Sequence, residues 1–337
     1  MILRPKPASI HSATLAGAPS TAPMAPVPTW LRRAIPDAQS LAGKEIEDVT
    51  LAAGAALGAL DRVVRRQERW AGAWRQRLAL VAAAATAKQV GRVEDENALR
   101  DAVLLTKADD DVGPAGRMLL AWRRLATRPT EDLLTKKGLG AMLEEFGHAP
   151  DDEVVGDLAG ALRALSAGGM VGMVTGAFIA AGQYGFGRPV GAWLADALVA
   201  QRLAWAHAVP LLGPEAALGT GARPRRSAVS SGATSTETDN ERAKGLLAAQ
   251  ARAALRVIDL SAELGRRAEK LLAVAPKLRA KAADAVVERL LSDDAIVASE
   301  KIAGMSDRGL RRLFDRLVEL GAVRELSGRA AFRMYGI

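Results

Sequence analysis

Over most of its length this chain places its apolar side chains three and four residues apart, a period that suits a helix and not a strand. Ala53, Leu57, Leu60 and Val64 share one face, with Arg62, Arg65 and Arg66 elsewhere on the same helix. Trp70, Trp74, Leu78, Val81 and Ala85 make the next stripe. In "VGPAGRMLLAWRRLATRP", Pro114 suits a first helical turn, while Met118, Trp122 and Leu125 form the inward face. Pro129 ends that helix. Another is expected over about 131–146, interrupted or loosened by Gly138 and Gly140. In "APDDEVVGDLAGALRALSAGG", Asp151 or Asp152 caps, Glu153 complements the helix dipole, and Val155, Leu158, Leu162 and Leu165 point inward. Pro189 opens a helix carrying Trp193, Ala197 and Ala200.

Hydrophobic residues make up 49% of the chain, mostly Ala, Leu and Val, and aromatics only 4%. Runs of β-branched residues are scarce, so the expected fold class is all-α. Four boundaries divide the 337 residues. Residues 1–28 are rich in Pro and Ala and bury too little apolar surface to order, so a disordered tail is expected. Residues 29–218 form a helical domain. "GTGARPRRSAVSSGATSTETDN", residues 219–240, is small and polar and reads as a flexible linker. A connecting helical segment spans 241–281, with Pro276 as a break, and 282–337 make the last unit.

In that last unit, Val286 and Leu290 give a first helix its inner face, and Asp293 or Asp294 can cap the next element. "AIVASEKIAG" reads as a short second helix with Ile296 and Ile302 buried and Gly304 as its stop. Ser306 is placed to cap a third helix cored by Leu310, Leu313, Phe314, Leu317 and Leu320, and Gly321 ends it. The opposite face carries Arg308, Arg311, Arg312, Asp315, Arg316 and Glu319. "AVREL" and "RAAFRMY" then alternate as two strands around Ser327 and Gly328, with Val323, Phe332 and Met334 closing over the helices. Helices followed by a β-hairpin suggest a C-terminal winged helix-turn-helix.

Two functional readings of this unit stay open. Arg308, Arg311, Arg312, Arg316 and Arg329 can grip phosphates or guanine edges of double-stranded DNA. The same unit can instead dock a protein partner or form a homodimer. Residues 306–333 hold seven Arg against four acidic residues, whereas over 282–337 nine basic and nine acidic residues cancel. The whole chain is more one-sided, at +8, which favours anionic partners.

No catalytic, cofactor or metal site is expected. With no cysteine, disulfides and thiolate sites are excluded. The three histidines, at 11, 148 and 207, give no Ser-His-Asp arrangement. Asp109, Asp110 and Asp111 precede a helix, and capping explains them better than a metal. His148 near Asp151, Asp152 and Glu153 lacks a second histidine. Residues 166–187 are uncharged, with Gly168, Gly172 and Gly176 at four-residue spacing; a buried helix pair is favoured over a membrane span. The N-terminus lacks the apolar core of a secretory signal, and a cytoplasmic location is expected.

Beyond these readings, the stretch from "GAALGALDRVVRRQERWAGAWRQRLAL" to "LAWRRLATRP" and the closing "MSDRGLRRLFDRLVELGAVRELSGRAAFRMYGI" resemble the uncharacterised bacterial domain-of-unknown-function family 1403. The resemblance runs from about residue 29 onward and implies no activity, cofactor or site residue. The closing segment is also similar to winged-helix tails of some regulatory and Fic-type bacterial proteins, but the His-Pro-Phe core of Fic catalysis is absent.

Overall fold

Five helices begin where a short polar side chain accepts the backbone N–H three residues ahead. Asp37 takes that of Ser40, Asp95 that of Ala98, Thr135 that of Gly138, Asp151 that of Val154 and Ser306 that of Gly309. Each satisfies an N–H that the helix itself leaves without a partner. Of the two candidates at 151 and 152, the cap is therefore Asp151. The computed structural model describes residues 27–107, 110–215, 234–280, 282–329 and 331–337. The tail expected over 1–28 lies almost wholly outside the described residues, as does most of the linker.

In chain order the helices are α1 (Thr29–Ala34), α2 (Ala38–Ala42), α3 (Ile46–Arg65), α4 (Ala71–Gln89), α5 (Glu96–Leu104), α6 (Gly113–Thr127), α7 (Thr130–Leu133) and α8 (Lys136–Glu145). They continue as α9 (Asp152–Ser166), α10 (Met170–Gln183), α11 (Arg188–Arg202), α12 (Leu212–Glu215), α13 (Thr234–Val274), α14 (Ala283–Ser292) and α15 (Asp307–Glu319). Strands β1 (Ile296–Val297), β2 (Arg324–Glu325) and β3 (Met334–Gly336) form an antiparallel sheet in the order β1-β3-β2. The fold is mostly helical, as the apolar period dictates.

Two expectations shift at the boundaries. The helix expected over 131–146 is interrupted, at residues 134–135 and ahead of the glycines, and Gly138 lets the restarted helix lie where a Cβ would sit 2.2 Å from the Asp132 carbonyl oxygen. The chain turns there, and Thr135 restarts the helix. The expected linker is also shorter, since residues 234–240 already belong to α13.

Helix α13 lies along α3 and α2, α4 packs on α6, and α10 pairs with α11. Buried indoles tie these layers together. The Nε1 of Trp74 donates to the Val257 carbonyl at 3.0 Å, that of Trp122 to Thr86 Oγ1 at 2.9 Å, and that of Trp193 to the Ala121 carbonyl at 2.9 Å. An indole buried without such a partner would cost free energy, so these bonds also fix how the helices slide. Glycine brings α10 and α11 together, but outside the predicted seam: Gly191 of α11 receives the Phe178 ring of α10. Gly176 of the seam instead meets the Leu165 side chain of α9, and Gly172 faces open space. One continuous apolar core runs from Leu31 to Ile337.

The second helix expected over 295–304 does not form. Ile296 and Val297 are consecutive β-branched residues, both buried, and they pair with Tyr335 and Met334. The chain then turns, with the Glu300 N–H donating to the Val297 carbonyl and Gly304 at φ +81°. Arg289 holds the Glu300 carboxylate at 2.6 Å, so this segment is tied to α14 rather than coiled on itself.

Helix α14 reaches α4 at one unusually close point. A Cβ on Gly72 would lie 2.6 Å from the Ser292 carbonyl oxygen and 2.8 Å from its Cα. Backbone cannot move aside as a side chain can. Gly72→Ala should therefore lower unfolding free energy by about 1–3 kcal/mol, read from denaturant midpoints, whereas Gly58→Ala, which meets open space, should not.

A second expected outcome concerns Asp196. Its fully buried carboxyl accepts the Leu211 N–H at 2.7 Å and the Leu212 N–H at 3.0 Å, fixing the start of α12. Burial pushes its pKa up to about 8, against the opposing pull of those two bonds. The unfolded carboxyl titrates near 4, so between the two values folding takes up a proton. Stability from this group is complete below about pH 4 and declines as pH rises toward 8. Unfolding midpoints from pH 5 to 8 should show this decline, and Asp196→Asn should flatten it.

Candidate nucleic-acid interface

Helix α15 divides its sides sharply. Leu310, Leu313, Phe314 and Leu317 are buried, and the Phe314 ring stacks on Tyr335 of β3 with centroids 4.2 Å apart. The final strand thus covers the apolar face and leaves the charged one open. Arg308, Arg311 and Arg312 stand at spacings of three and four, so they share that exposed face. None makes an ion pair or side-chain hydrogen bond among the described residues.

Two of the five expected arginines are engaged by the protein itself. Arg316 pairs with Glu319 at 2.6 Å, within α15. Arg329 reaches back to Asp101 of α5, which anchors the turn between β2 and β3. Asp315 lies 3.9 Å from Arg333. Positive charge is therefore concentrated in the first half of α15, next to the positive end of its dipole, and is neutralised in the second half.

Phe332 departs from expectation. It does not close over the helices: the side chain is 64% exposed and the backbone takes φ +54°. Val323 and Met334 do close over them, since both are buried. Val318 and Leu320, at the end of α15, are likewise exposed apolar residues. Leu320 was expected in the core stripe, but it is the C-cap, and the chain turns away at Gly321.

The largest surprise is at the root of the unit. Neither Asp293 nor Asp294 caps a following helix; Asp293 is instead the C-cap residue of α14. The Asp294 side chain is wholly buried, receives Arg77 of α4, and accepts from Arg100 Nε of α5 at 2.6 Å. Burial would raise its pKa, but Arg77 and Arg100 outweigh this and hold the carboxyl below the usual carboxylate range. Asp293 accepts from Gln76 Nε2 at 2.9 Å and pairs with Arg289 at 2.8 Å. Arg123 is buried nearby with its Nε unpartnered; desolvation lowers its pKa, and Asp294 and Asp293 act against that. No sequence spacing signals the contacts with Gln76, Arg77 and Arg100, which lie 194 to 217 positions away; only Arg289, four residues before Asp293, stands at helical spacing.

The other candidates resolve simply. Asp111 accepts the Gly113 N–H at the start of α6, and Asp109 lies outside the described residues. His148 stacks edge-on against Phe186, with centroids 4.8 Å apart, and burial lowers its pKa. Among the described residues no group of three or more His, Asp or Glu is placed to hold a metal ion. Among the same residues no helix is long and apolar enough to cross a membrane.

Removing the buried carboxylate leaves two guanidiniums without compensation, which costs about 3–5 kcal/mol in comparable sites. Asp294→Asn should therefore lower the unfolding midpoint strongly. Breaking the exposed Arg316–Glu319 pair with Arg316→Ala should change it by less than about 1 kcal/mol.

No curated protein and no solved structure matches the chain. The family described as "Protein of unknown function (DUF1403)" matches residues 18–337, close to the full length, in line with the resemblance read from the Trp-rich helices and the closing segment. The chain belongs to that family.

Proposed function

We propose that the protein is a non-enzymatic cytoplasmic regulator that binds double-stranded DNA through its C-terminal unit, residues 282–337. The observation that carries this reading is the trio Arg308, Arg311 and Arg312, exposed on one helical face with no internal carboxylate partner among the described residues. The order helix, strand, helix, strand, strand, with β1 against β3, supports a winged-helix arrangement in which turns replace the middle helix. In such a unit the last helix is the one presented to the major groove, and its N-terminal half makes the contacts. Arg316 and Arg329 are less free to bind phosphate than the trio, because each already serves a carboxylate, Glu319 within α15 and Asp101 of α5.

Three released phosphate counterions correspond to a slope of about −3 in log affinity against log salt. Fluorescence anisotropy with a random duplex should show that dependence, and Arg311→Glu with Arg312→Glu should abolish retention at low salt. Loss of the slope with folding intact supports the reading. Unchanged binding, or none by the wild type at low salt, ends it. The second reading, protein docking or self-association through this unit, is favoured by the exposed Val318, Leu320 and Phe332. A concentration-dependent mass in analytical ultracentrifugation that Phe332→Ser removes would point that way.

A further inference from the structure

A cleft unrelated to the C-terminal face opens between the end of α3, the start of α4 and residues 204–207. Its volume is about 380 Å³, within the range of small-molecule sites. Arg75 stands in its wall. The Arg75 Nε donates to the Ala126 carbonyl at 2.8 Å, and no carboxylate pairs with this guanidinium among the described residues. Burial lowers its pKa to about 10, so it still carries its charge at neutral pH. The neighbouring charges are matched within the protein: Arg65 pairs with Asp61 at 2.8 Å, and Glu68 with Arg66 at 2.7 Å. Arg75 is therefore a partly buried cation for which no described residue supplies a counter-ion. A charge so placed is costly unless something compensates it.

The same lining holds the other half of a recognition site. His207 lines the cleft, and its pKa is lowered by burial and then by the charge of Arg75, which leaves a neutral imidazole able to donate one hydrogen bond. Gln67 and Ala204 flank the same space with φ +45° and +50°, a region that side-chain-bearing residues rarely adopt. Such geometry persists only where surrounding contacts hold it. Those contacts are present. Arg65 donates to the Leu203 carbonyl at 2.8 Å, Trp205 Nε1 to Asp61 Oδ1 at 2.8 Å, and the Thr130 N–H to the Ala206 carbonyl at 3.0 Å. The walls are fixed before any ligand arrives, which lowers the ordering cost of binding.

We propose that this cleft binds the oxyanion group of a small molecule, a carboxylate or a phosphate, with Arg75 as its charge partner and His207 as a hydrogen-bond donor. The site is independent of the DNA-binding reading and stands if that reading fails.

Calorimetric titration of the full chain with inorganic phosphate and, separately, with acetate tests it, ionic strength being held constant with sodium chloride. Saturable binding of either anion is expected, and the anion that saturates identifies the class of head group. Arg75→Met should weaken it at least tenfold, and His207→Leu should weaken it with Arg75 left in place, which keeps the test open if the first variant does not fold. Arg311→Glu with Arg312→Glu should bind the anion as the wild type does. Absence of saturation by both anions, or equal binding by the wild type and the folded cleft variants, overturns the proposal.

Discussion

A single buried carboxylate joins the two ends of this chain. Asp294 follows directly on α14 and leads into β1, yet it is compensated by Arg77 of α4 and Arg100 of α5. Two helices from the first third of the sequence therefore fix where the last fifty residues begin. Charge buried this deeply tolerates little displacement, because moving the carboxylate would strand two guanidiniums in a medium that solvates them poorly. Gly72 adds a steric condition, allowing the Ser292 backbone to lie directly against α4. The C-terminal unit shares the apolar core with the rest of the chain, and this buried charge and close backbone approach fix its position on that core.

That anchorage gives the arginines of α15 their meaning. Asp101 takes Arg329, Glu319 takes Arg316, and the remaining trio is left outward. Stacking of Phe314 on Tyr335 seals the apolar side, so the helix has no other way to turn. Helix α4 also carries Arg75, one side of the anion cleft, and Gly72 lines that cleft while touching Ser292. One helix thus serves the cleft and the seat of the C-terminal unit.

Much of this was readable from residue order. The stripes led by Trp122 and Leu158 became buried helix faces, whereas α4 is buried on most sides and Trp70, Val81 and Ala85 of its expected stripe are only half-buried. Ser306 and Asp151 capped where a short polar residue before an apolar run should. The failures share a cause. "AIVASEKIAG" carries helix-compatible residues, but Ile296 and Val297 gain more from pairing with a strand nearly forty residues later. Phe332 looked like core because it is aromatic and alternates with Met334, while its left-handed backbone turns it outward.

Period and composition by themselves determined the helical class, several helix starts and the amphipathic split of α15, because these depend on neighbours three or four residues away. Which arginines stay free is a different kind of fact. It depends on whether folding brings a carboxylate within reach, and Asp101 and Arg329, or Asp294 and Arg77, meet only across the whole chain. The same holds for the cleft: Arg75, Gln67 and His207 come together through the packing of separate elements, and only three-dimensional closure leaves one cation among them without a carboxylate partner among the described residues.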